Sequence, residues 1–189
     1  MARRMTRERY LNDSELEAFL QAVRERRHVN QVRDYAVFLL LASTGIRPSE
    51  ALSLRWQDVN VNHRRPWIRV ARMKKKRGLT YDELQIPQPA ADALKAYQGD
   101  ASGEAVVFGI HRRTLARVFR YYARRAKIHP RFYLYCLRHT AATRIYRATR
   151  DIALVQAILG HESADTSCIY AHVGRDVLRD HADNVATVL

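Results

Sequence analysis

The sequence predicts a mainly α-helical domain with one small antiparallel β-sheet, an α+β class. Two observations carry this. Apolar residues recur at helical spacing through most of the 189 positions, in segments bounded by recognisable start and stop residues. Between Asp58 and Pro87 that rhythm gives way to period-two alternation on either side of a basic turn.

Taken in order, residues 1–10 carry Arg3, Arg4, Arg7 and Arg9 and read as a basic N-terminal arm. Asn12-Asp13-Ser14-Glu15 opens a helix with Leu16, Phe19, Leu20 and Val23 on one face. A second helix is expected from Asn30 to Ser43, built on Val32, Tyr35, Phe38, Leu39 and Ala42 and ended by Thr44-Gly45. Arg47 then stands at the mouth of a helix whose first turn holds Pro48 and Glu50. An arginine so placed is either a partner for Glu50 or an anion clamp. Ile68-Arg69-Val70-Ala71-Arg72 alternates apolar and basic residues as a half-buried strand does, and Leu84-Gln85-Ile86 is a second alternating piece. Between them lies the turn Lys74-Lys75-Lys76-Arg77-Gly78. From Arg64 to Arg77 there are eight basic residues and no acid, which suits a hairpin tip pressed against phosphate better than a solvated one.

A helix from Gln88 to Tyr97, a turn bearing Gly and Ser, and the apolar run Val106-Val107-Phe108 lead to a strongly patterned helix from His111 to Lys127. There Arg113, Arg117, Arg120 and Arg124 share one face, and Leu115, Val118, Phe119 and Tyr122 the other. Seven lysines and arginines with no acid would repel one another unless something negative lay alongside, so this helix is expected to lie on DNA. Beyond His129-Pro130, a helix from Tyr133 to Arg147 places Tyr135 and Arg138 three apart, able to reach one ligand. Asp151 caps a helix from Ile152 to Leu159, and Gly160 stops it, so His161 projects from a helix end. Tyr170, between Ile169 and Ala171, reads as the packed side of a short helix, where filling core is the plain alternative to a chemical role. A last helix runs from Arg175 to Thr187.

Composition narrows the function. Lysine plus arginine number 33 against 19 acids, a formal charge of +14, with a pI near 10.4. That excess points to a polyanion, first of all nucleic acid. No apolar run approaches the ~20 residues needed to span a bilayer. Cys136 and Cys168 form no zinc-site spacing and fit a reducing cytoplasm. No acidic metal cluster is visible.

Four motifs stand in order: Thr44-Gly45-Ile46-Arg47-Pro48-Ser49-Glu50, Leu137-Arg138-His139-Thr140, Leu159-Gly160-His161 and Tyr170-Ala171-His172. Each alone is weak. In this order and spacing they resemble the catalytic domain of the tyrosine recombinases, or phage-type integrases, over nearly the whole chain. The resemblance implies that family's catalytic-domain fold and site-specific DNA recombination through a covalent 3′-phosphotyrosyl intermediate, without metal or cofactor.

The chemistry can be argued separately. Exchanging DNA strands without a nucleotide cofactor requires the phosphodiester bond energy to be stored, and a tyrosine ester of the phosphate does so. A phenol of pKa ~10 needs help in losing its proton at neutral pH. Two arginines can hold the non-bridging oxygens as charge develops, and a lysine can protonate the departing 5′ oxygen. By resemblance, Tyr170 is the nucleophile, Arg47 and Arg138 the clamp, His161 a phosphate contact, and Lys74 the general acid, with Lys75 and Lys76 open as alternatives. Glu50 and His139 are supporting residues, and Lys75, Lys76 and Arg77 join the arginines of the 111–127 helix in binding DNA.

Two departures from the family pattern matter. Tyr135 stands where the family has a histidine, and a tyrosine cannot act as an imidazole base at pH 7. Only about ten residues precede the first helix, so residues 11–189 are expected to be a catalytic domain without a separate N-terminal DNA-clamping domain, either like short stand-alone members such as the fimbrial-switch invertases or as an excised domain of a longer protein. The family also implies double-stranded DNA as partner, a monomer when free, and a homo-tetramer on DNA joined through Leu178–Leu189. Accessory DNA-bending proteins are further candidate partners, and the setting is cytoplasmic, at the nucleoid. The competing readings are relaxation of DNA in the manner of a type IB topoisomerase, and a weakly catalytic DNA-binding regulator that keeps the fold.

Overall fold

The computed structural model describes residues 10–74 and 78–160. Seven helices and a three-stranded antiparallel sheet occupy them, as the patterning predicts. Helix α1 (Asp13–Arg24) starts in a capping box: the Asn12 side chain accepts from the Glu15 backbone N–H, and the Glu15 carboxylate accepts from that of Asn12. Helix α2 (Gln31–Thr44) is the central element, buried on most sides through Val37, Phe38, Leu40 and Leu41. Gly45 ends it in the left-handed region, at φ 68°. There a Cβ would come within 2.6 Å of Leu159 Cδ2, so close packing as well as backbone shape calls for glycine.

The short helix α3 (Pro48–Ser53) and a single 3-10 turn (Trp56–Asp58) lead into the sheet. Its strands are β1 (Val59–Asn60), β2 (Trp67–Lys74) and β3 (Gly78–Gln85), in the order β1-β2-β3. In the β2–β3 ribbon Trp67 pairs with Gln85 and Lys74 with Gly78. Helix α4 (Gln88–Gln98) packs on α2 through Ala90, Ala91 and Leu94. Helix α5 (Arg112–Arg125) buries Leu115, Phe119 and Tyr122, and its Phe119 joins Phe19 of α1 and Phe38 of α2 in an aromatic core, with ring centroids 5.0–6.1 Å apart. Tyr122 completes that core, and its hydroxyl lies 3.2 Å from the buried carboxylate of Asp34.

Helix α6 (Cys136–Thr149) starts three residues later than the pattern predicts. The approach is made of tight turns in which Cys136 N–H donates to Tyr133 C=O and Arg138 N–H to Tyr135 C=O. Phe132 and Leu134 anchor that approach in the core. Helix α7 (Ile152–Leu159) keeps its expected bounds: Asp151 accepts from the Ala153 and Leu154 N–H groups, and Gly160 closes it at φ 65°. A second, smaller core beneath α6 and α7 contains Tyr10, Ala142, Val155 and Leu159. Among the described residues no helix is long and apolar enough to cross a membrane.

Candidate active site

The site gathers where the ends of α2 and α7 meet the start of α6. Arg138 lies in the first turn of α6 and is only 1% exposed. Its Nη1 donates to Gly45 C=O at 2.6 Å and its Nη2 to Leu159 C=O at 2.9 Å. One guanidinium therefore ties together the chain ends that lead to Arg47 and to His161. Helix ends leave carbonyls without intrahelical partners, and a buried cation is well matched to them.

Arg47 follows Gly45 by two residues and is the N-cap of α3. Its backbone N–H donates to Glu50 Oε2 at 2.6 Å and its Nη1 to Oε1 at 2.7 Å. The Glu50 side chain is 8% exposed and that of Arg47 is 38% exposed. A largely buried carboxylate thus holds a guanidinium whose outer side is open, an arrangement able to take an anion. The two sequence alternatives for Arg47, partner or clamp, are not exclusive.

Tyr135 caps α6, half-buried, with the Arg138 guanidinium carbon 5.8 Å from its ring centroid. The His139 ring meets it edge-on at 5.3 Å. Tyr135, Arg138 and His139 therefore lie together, and Arg138 is bonded to Gly45, two residues before Arg47. Lys74 ends β2 by its backbone pairing, while its side chain and residues Lys75, Lys76 and Arg77 lie outside the described residues. His161 and Tyr170 lie outside them too, as do Cys168 and Leu178–Leu189. Arg113, Arg117, Arg120 and Arg124 are all exposed on α5, away from its buried face. Among the described residues no group of His, Cys, Asp and Glu is placed to hold a metal ion.

Sequence reasoning misses Arg72. The alternation marks it only as one position of a strand, yet it is 1% exposed. Its Nη2 donates to Ile158 C=O at 2.7 Å, and its Nε lies 3.2 Å from Asp82 Oδ2. Burial pushes this guanidinium below its ordinary pKa, Glu50 and Asp82 pull it back up, and Arg47 lowers it. A signal exists in the sequence: Ile68, Val70 and Arg72 share one strand face, and Ile68 and Val70 are buried.

The phage integrase family model matches residues 9–176, and the chain belongs to that family. It is 32% identical over 171 residues to a tyrosine recombinase of Pseudothermotoga lettingae, covering 87% of this chain and 58% of that protein. The tyrosine recombinase XerH of Campylobacter jejuni is 32% identical over 183 residues, covering 90% of this chain and 50% of that protein. The chain thus spans about half the length of the curated relatives it matches. A crystal structure of a XerA recombinase superposes with a TM-score of 0.73 at 26% identity, over 93% of this chain and 62% of that one. The XerH site-specific recombinase bound to palindromic difH substrate, a post-cleavage complex, gives 0.79 over 92% of this chain and 52% of that one; at 24% identity this likeness speaks to the fold alone.

Proposed function

We propose that this chain cuts and rejoins DNA strands at specific sites through a covalent 3′-phosphotyrosyl intermediate on Tyr170. The observation that carries the reading is the Arg138 junction, which sets a buried arginine beside the turn bearing Arg47 and beside the helix end leading to His161. In this reading Arg47 and Arg138 hold the non-bridging oxygens of the scissile phosphate, and His161 bonds to it. The Tyr170 hydroxyl oxygen attacks phosphorus, the bond to the 5′ oxygen breaks, and Lys74 supplies the proton that the leaving oxygen takes up. Rejoining is the reverse, with the 5′ hydroxyl of another strand as nucleophile.

Glu50 acts by orienting Arg47. Tyr135 donates a hydrogen bond near the phosphate and does not accept the nucleophile's proton, which passes to water. The exposed arginines of α5, with Lys75, Lys76 and Arg77, bind the duplex backbone. Residues 11–189 act as the catalytic domain, and 178–189 dock on a neighbouring copy in a tetramer on DNA.

The test is incubation with a nicked duplex from which the cleaved end diffuses away. Wild type accumulates a protein–DNA adduct that survives SDS, and Tyr170→Phe forms none. An adduct persisting in Tyr170→Phe, or none from wild type, overturns the reading.

A further inference from the structure

Two inward positions on β2, Ile68 and Val70, are apolar and buried, as a strand under α3 requires. The third, Arg72, is a guanidinium at 1% exposure. Burying a charge is costly unless named partners take it up. Asp82 lies diagonally across the ribbon on the same face, opposite Val70, and Ile158 C=O belongs to the last turn of α7. The side chain therefore bridges sheet and helix.

The far side of the bridge is shaped to receive it. Gly160 has φ 65°, and a Cβ there would overlap Arg72 Nη1 and stand 2.6 Å from its Cζ. Any side chain there would have to displace the Arg72 guanidinium, and the positive φ adds backbone strain. Nη1 has no hydrogen-bond partner among the described residues, and it lies over Gly160. Arg72 and Arg138 together occupy the carbonyls of Ile158 and Leu159, successive residues at the α7 end. Lys74 is two residues beyond Arg72 on the same strand, about 7 Å along it.

We propose that Arg72 is a positioning residue for strand cleavage: by tying the β2–β3 ribbon to the α7 end over Gly160, it holds the hairpin lysine Lys74 in register with the Arg47–Arg138 clamp. The inference rests on the function proposed above. Arg138 joins the two helix ends to each other; Arg72 joins them to the sheet. Without the second link the clamp stays formed while the proton donor drifts from the leaving oxygen.

The experiment uses the full chain and a duplex that the wild-type protein selects from a random-sequence library, with the cleaved position mapped on it. Nicked substrates are then made with oxygen or with sulfur at the bridging 5′ position. A thiolate leaves without needing a proton, so sulfur bypasses the general acid. Arg72→Met is expected to bind the duplex as wild type does and to form adduct on the order of 100-fold more slowly on the oxygen substrate. On sulfur it recovers most of that loss. Gly160→Ala, which drives a methyl into the guanidinium, shows the same split. Arg72→Lys recovers little, because an ammonium cannot reach Ile158 C=O and Asp82 in the same planar geometry.

Adduct formation at the wild-type rate in both Arg72→Met and Gly160→Ala overturns the proposal. So does equal slowing on oxygen and sulfur, which would place the defect in the clamp. If Arg72→Met fails to fold, Gly160→Ala and Arg72→Lys decide by the same split. Absence of adduct from wild type on both substrates is a different outcome, which removes the functional reading itself.

Discussion

Arginine serves in two opposite ways on this chain. Along α5, Arg113, Arg117, Arg120 and Arg124 stand in solvent, with the apolar core on the other side of the helix. At the end of α7, Arg72 and Arg138 are each 1% exposed, and backbone carbonyls of Gly45, Ile158 and Leu159 accept hydrogen bonds from them. A solvated charge is screened within about 10 Å at moderate salt and acts on a polyanion mainly by number. A desolvated charge interacts far more strongly with whatever faces it, but only because partners already hold it in place. In the proposed function the α5 face binds DNA and the junction does the chemistry.

That contrast can be broken by substitution, and the largest effect belongs to Arg138. Arg138→Ala leaves Gly45 C=O and Leu159 C=O without these donors, and hydrogen bonds to charged groups contribute about 1.5–3 kcal/mol each. Urea unfolding should show a loss of about 3 kcal/mol or more, with strand cleavage abolished. A variant as stable as wild type would mean that the junction does not depend on this side chain.

Next comes Glu50→Gln. It matches the size of the carboxylate but turns one of the two oxygens that accept from Arg47 into an NH2 donor and removes the charge that orients the guanidinium, so cleavage should fall by roughly 10–100-fold while duplex affinity changes little. Parallel loss of affinity would place Arg47 with the binding arginines instead. Arg117→Ala with Arg120→Ala should behave in the opposite way. Folding stability is unchanged, affinity falls, and the slope of log affinity against log salt flattens by about 0.9 for each phosphate that is no longer neutralised.

The smallest effect concerns Cys136, a buried thiol in α6 whose pKa burial pushes well above its ordinary value. In the unfolded chain that thiol ionises from about pH 8.5, whereas in the native state it stays protonated. Its contribution is therefore intact below pH ~8.5 and is lost as pH rises above it, at up to about 1.4 kcal/mol per unit. Comparing wild type with Cys136→Ala between pH 8 and 10 should show the steeper decline in wild type. Equal slopes would place the thiol in contact with water.

Most helices were legible because each had both a periodic apolar face and a cap: Asn12 with Glu15, Gly45, and Asp151 with Gly160 all act in the structure as their residue types suggest. The sheet was less so, and the reason is Arg72. Strand β3 runs from Gly78, but its solvent face carries Leu79 at 55% and Tyr81 at 60% exposure, while Asp82 turns toward the Arg72 side. With a charge pair under the ribbon, the usual apolar-in pattern fails over that half of the strand, and only Leu84-Gln85-Ile86 reads clearly. Strand β1, with two residues, is too short to show a period.

Within the site, Arg47 and Arg138 could be picked out from local wording. That Arg138 ties Gly45 to Leu159 could not, because those acceptors are backbone carbonyls, which leave no mark in a side-chain pattern.

The central claim is that this junction serves a tyrosine nucleophile. Its most direct test is to trap the adduct, digest the DNA with nuclease, and map the remaining nucleotide by mass spectrometry of the peptides. The account predicts a nucleotide joined through its 3′ phosphate to Tyr170. A nucleotide on Tyr135, or on any residue other than Tyr170, would contradict it.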